Sequence, residues 1–89
     1  MNIAISKEIG VIQNTAYKIS QKISKLREKL EVDQEKFYNF SEKKQESEKG
    51  QELNQKNEDL ETLIYELEEQ QEILESVAEQ LELISNGTE

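Results

Sequence analysis

The sequence predicts an all-α protein: two long helices folded back on each other as an antiparallel, coiled-coil-like hairpin that completes a larger helical bundle with a partner. Three observations carry this expectation. Apolar residues climb the first half of the chain in steps of three and four: Ile5, Ile9, Ile12, Ala16, Ile19, Ile23, Leu26, Leu30, Phe37 and Phe40, with Asp33 filling the one gap. A second ladder of the same kind follows, through Leu53, Leu60, Ile64, Leu67, Leu74, Ala78 and Leu81, with Asn57 and Gln71 as polar members. Between the two, at Ser47-Glu48-Lys49-Gly50, apolar residues vanish and a glycine stands where a helix can close. Steps of three and four are the a/d spacing of helices that pack knobs into holes.

Composition agrees. Charged residues make up 35% of the 89-residue chain against 34% hydrophobic, and there is no proline. That balance suits long exposed helices and leaves too little apolar material for a large core. The sustained periodicity opposes the competing reading of a disordered chain.

The first helix is expected over about residues 3–46. Its flanks are Lys22, Lys29, Lys36 and Lys43 on the g side, with Gln13, Ser20, Arg27, Gln34 and Ser41 on the e side. The turn is expected at about 47–50, with Gly50 in the left-handed position that ends a helix. The second helix then covers about 51–85, closed by Asn86-Gly87 and followed by a short disordered tail.

Folding back at Glu48/Lys49 makes facing residues sum to 97. Ala16 then meets Leu81, Ile23 meets Leu74 and Leu30 meets Leu67, each a position opposite a d position, as an antiparallel pair requires. The turn and both ladders are independent features that agree on one register. Residues 1–30 carry a net +4 and residues 50–89 a net −11, within a total of −9, so a basic helix lies along an acidic one.

Two regions are left without an intramolecular partner in this register. Ile5 and Ile9 face positions at or beyond the end of the chain and overhang. On the second helix, Leu63, Gln70, Ile73, Val77 and Ile84 form another ladder beside the first. The expected partner-binding residues are therefore Ile5, Ile9, Leu63, Ile73, Val77 and Ile84, and the expected partner is another helical protein. A hetero-oligomer is favoured and a homo-oligomer is the alternative.

Chemistry is not expected. Histidine and cysteine are absent, which removes the usual residues for zinc, haem and triad catalysis. The many carboxylates lie on helix faces with no pocket to raise a pKa. We expect no catalytic, cofactor-binding or metal-binding residues, and no enzyme. An acidic chain without a basic, aromatic-studded face excludes nucleic acid. No apolar run is long enough for a transmembrane helix or a cleaved signal peptide, and the acidic second helix disfavours a membrane surface. The protein is expected in the cytoplasm when synthesised, and any export would use a route without a cleaved signal.

A chain of this size with one helix, a short Gly-containing turn and a second helix resembles the small helical-hairpin proteins of bacterial type VII secretion. These include the Trp-X-Gly family and the helical partners of LXG-type toxins. Gly50 matches the turn glycine of that family, whereas its tryptophan has no counterpart here, which points to the toxin-partner type. The family's Tyr-x-x-x-Asp/Glu secretion motif is matched by Tyr65 and Glu69, and by Tyr38 and Glu42, though within the helices and not beyond the second. The resemblance implies a protein that binds a toxin's helical region, keeps it soluble and completes a composite export signal. The alternative is a self-assembling coiled-coil structural or regulatory protein.

Overall fold

The computed structural model of the chain describes residues 3–87, with side chains over 5–86. Two long helices, α1 (Ile3–Tyr38) and α3 (Glu48–Gly87), pack antiparallel, joined through a five-residue helix, α2 (Glu42–Glu46). The result is a rod of 67 × 15 × 13 Å. At 1.5 Å per residue, α3 alone accounts for about 60 Å of that length.

The first helix stops earlier than expected. Its ladder continues to Phe40, but regular helix ends at Tyr38, and residues 42–46 form a separate turn and a half. The break has a local cause. Asn39 and Ser41 are residues whose short polar side chains compete for backbone groups. Ser41 takes extended geometry (φ −61°, ψ 158°), and its hydroxyl accepts the Lys44 N–H at 3.2 Å, capping α2. The last turn of α1 tightens, with Phe40 N–H donating to the Phe37 carbonyl at 3.1 Å. Gln45 then reaches back to cap α1, its amide donating to the Phe37 and Phe40 carbonyls at 3.1 and 3.3 Å. The Phe37 and Phe40 rings sit 6.2 Å apart, and the Lys44 ammonium lies 4.3 Å from the Phe40 centroid. Thus α2 is a bent continuation of the first helix, laid along the start of α3.

The expected turn at 47–50 shrinks to a single corner at Ser47. That residue is extended (φ −66°, ψ 162°), its N–H donates to the Lys44 carbonyl, and its hydroxyl accepts the Gly50 N–H at 3.2 Å. Residues 48–50 are already helical. Gly50 is therefore not a left-handed helix terminator, and no described glycine has a positive φ. It is buried in the first turn of α3, where a Cβ would lie 2.1 Å from the Lys44 carbonyl oxygen. Glycine is required there by close approach of the α2 backbone. At the far end α3 continues to Gly87, past the expected limit of about 85; the tail beyond it lies outside the described residues.

Cross-helix bonds report the register. The Gln13 amide donates to Glu82 at 3.1 Å, and the Arg27 guanidinium pairs with Glu68; both pairs sum to 95. Flanking e residues stand two positions off the a–d pairs, so this sum agrees with the 97 expected in the seam. Both bonds join the e flanks, so part of the glutamate row of α3 is answered within the chain.

The side chains that face between the helices are those of the two ladders. Ile9, Ala16 and Ile23 from α1, and Gly50, Asn57, Ile64, Ala78 and Ser85 from α3, are buried. Ile9 is only 8% exposed, because the last turn of α3 carries Ser85 alongside it. The expected overhang at Ile5 and Ile9 is thus corrected: Ile9 is covered, and Ile5 is half-buried.

Candidate docking face

Burial divides the seam lengthwise. Among the described residues every buried one belongs to one heptad row on each helix: Ile9, Ala16 and Ile23 on α1, and Gly50, Asn57, Ile64, Ala78 and Ser85 on α3; the same rows also hold Leu30, Phe37 and Gln71, which are half-buried. The other row is half-buried throughout, from Ile5, Ile12, Ile19 and Leu26 on α1 and Phe40 just past its end, to Leu53, Leu60, Leu67, Leu74 and Leu81 on α3. The buried row borders the e flanks, where Gln13–Glu82 and Arg27–Glu68 close the surface.

On α3 the division follows residue size. The closed row holds glycine, alanine and serine at Gly50, Ala16, Ala78 and Ser85, which let the two helices approach. The row behind it on α3 is five leucines, too large to be enclosed by two helices alone. Their outer edges stay in water on one side of the rod. Two antiparallel helices therefore form a hairpin with one shut face and one open face.

The open face is extended on α3. Leu63, Ile73 and Ile84 are between 53% and 55% exposed, and Val77 is 38% exposed. Helical geometry sets Leu63, Val77 and Ile84 directly beside the leucine row, with Ile73 next to them. At mid-rod Leu26, Leu60, Leu63 and Leu67 line an open apolar groove of about 420 Å³, bounded by Glu66, Glu69 and Gln70. Four of the six expected partner-binding residues thus share one face. Ile5 lies in its half-buried floor on α1, and Ile9 lies in the closed row.

Tyr65 is 59% exposed and one turn before Glu69, which is also exposed, in the middle of α3. They sit away from the helix end. Tyr17 and Tyr38 are exposed on outer positions. Among the described residues there is no group of acidic side chains placed to hold a metal ion, and no helix is long and apolar enough to cross a membrane. The half-open leucine row was not anticipated from sequence. Its signal lies in the residues of α3, where one heptad row is mostly small or polar and the next is leucine.

No family model, curated protein or solved structure matches the chain. The geometry alone points to a protein partner: an extended hairpin with many apolar side chains exposed along one side.

Proposed function

We propose that the chain is a non-enzymatic helical adaptor whose open face receives a helical segment of another protein. In its specific form, that segment is the helical region of a secreted toxin bound for type VII export. The observation that carries the docking reading is the half-buried leucine row bordered by Leu63, Val77 and Ile84. Fully burying one such side chain is worth roughly 1.5–3 kcal/mol, so a helix laid over the row would gain a large hydrophobic term. The specific form is supported by the hairpin topology it has in common with the helical partners of LXG-type toxins; Tyr65 and Glu69 are exposed, though within α3 and not beyond it.

The test is recovery of the tagged chain from its native host, with identification of what travels with it. A toxin bearing a helical N-terminal region should co-purify, and changing Tyr65 or Glu69 to Ala should impair export while leaving that association intact. Recovery of the chain by itself, already well folded, would reject the adaptor in favour of a self-assembling coiled coil.

A further inference from the structure

Resting on the docking reading, we infer that the open face takes an amphipathic helix of another protein carrying carboxylates along the flank that lies against α1. The two edges of the face differ. Along α1 the edge is Lys22, Lys29 and Lys36, seven residues apart, on one line and exposed. Along α3 it is Leu63, Gln70, Val77 and Ile84, with Lys49 and Lys56 continuing the same line towards the corner and Glu66 and Glu69 beyond Leu63. The floor contains one acid, Asp33, and Lys29 Nζ lies 3.0 Å from its Oδ2, so that pair cancels and Lys22 and Lys36 carry the net charge of the rim. What remains is an apolar floor whose α1 rim is basic throughout, while the α3 rim is basic only near the corner, at Lys49 and Lys56, and apolar beyond it.

A helix with an apolar stripe and glutamates on one flank would bring carboxylates beside these ammonium groups. The lysine stems would cover its apolar edge. A second copy of this chain fits poorly. Residues 48–87 carry twelve acids against Lys49 and Lys56, so laying α3 of one copy in the groove of another sets two strongly acidic helices side by side. Laying α1 there sets one lysine row against another. The face suits a helix that is acidic on a single flank.

Two synthetic four-heptad peptides test this. Both carry the same leucine stripe; one has Glu on one flank and Gln on the other, and the second has Gln on both. Binding of the labelled peptides to the full chain is read by fluorescence anisotropy at low salt. The Glu-flanked peptide should bind about tenfold more tightly, the sum of a few weak exposed pairs, and the advantage should shrink at high salt. In K22Q/K29Q/K36Q, checked for unchanged helicity, the advantage should vanish. Equal binding of both peptides would overturn the acidic flank and leave the docking face standing. Binding of neither peptide to a chain that sediments as a folded monomer would overturn both. Self-association of the chain alone, abolished by V77E/I84E, would make the occupant a second copy and overturn the inference.

Discussion

A methyl group added at Gly50 would sit 2.1 Å from the Lys44 carbonyl oxygen and 2.5 Å from that of Gln45. Both are backbone atoms of α2, so relief requires moving the corner itself. Gly50→Ala should cost about 1–3 kcal/mol, the range for overpacking, measured as a lower urea midpoint. Gly10 is the internal control, since nothing lies within 4 Å of a Cβ there and it stands inside α1. Gly10→Ala should stabilise by about 0.5–1 kcal/mol through helix propensity alone. If the two substitutions shift the midpoint in the same direction, the close approach at Gly50 is not a feature of the folded chain. The exposed Arg27–Glu68 pair should matter little: Arg27→Ala is expected to cost less than about 1 kcal/mol.

The division into closed and open rows is visible at the level of the helices. Ile64 is 2% exposed in the closed row, while Leu67, one turn on, is half-buried in the open row. Ile64→Ala should therefore cost about 2–5 kcal/mol, and Leu67→Ala clearly less, because its side chain already keeps part of its surface in water. Equal losses in urea melts would mean that the two rows are packed alike. The ladders themselves were legible in the sequence because a/d spacing repeats over many turns, and each residue of both ladders is buried or half-buried. The break at 39–41 was not legible from periodicity, since the ladder runs on through Phe40 while Ser41 leaves the helix to cap α2. In the sequence Gly50 reads as a turn residue because glycine serves both left-handed termini and close approaches, and only the position of α2 distinguishes the two. The open row was hidden for a related reason: spacing tells which residues turn inward, whereas side-chain size decides how far two helices can enclose them.

As a whole molecule, the hairpin is a thin rod with no element among the described residues covering its second face, so its stability should depend on what binds there. A partner that binds only the folded form stabilises it by mass action, by about 2.7 kcal/mol at a hundredfold excess over Kd. The chain alone should melt broadly and at low temperature, and the complex at a distinctly higher midpoint. The most direct measurement compares the tagged chain with its Val77→Glu/Ile84→Glu variant, co-purified from the native host, with circular dichroism on both. Both substitutions lie on the exposed border of the open face, away from the closed row, so helicity should be retained. The account predicts that the parent recovers a second protein in stoichiometric amount and the variant recovers none. Recovery of the same protein by the variant, at undiminished yield, would contradict it.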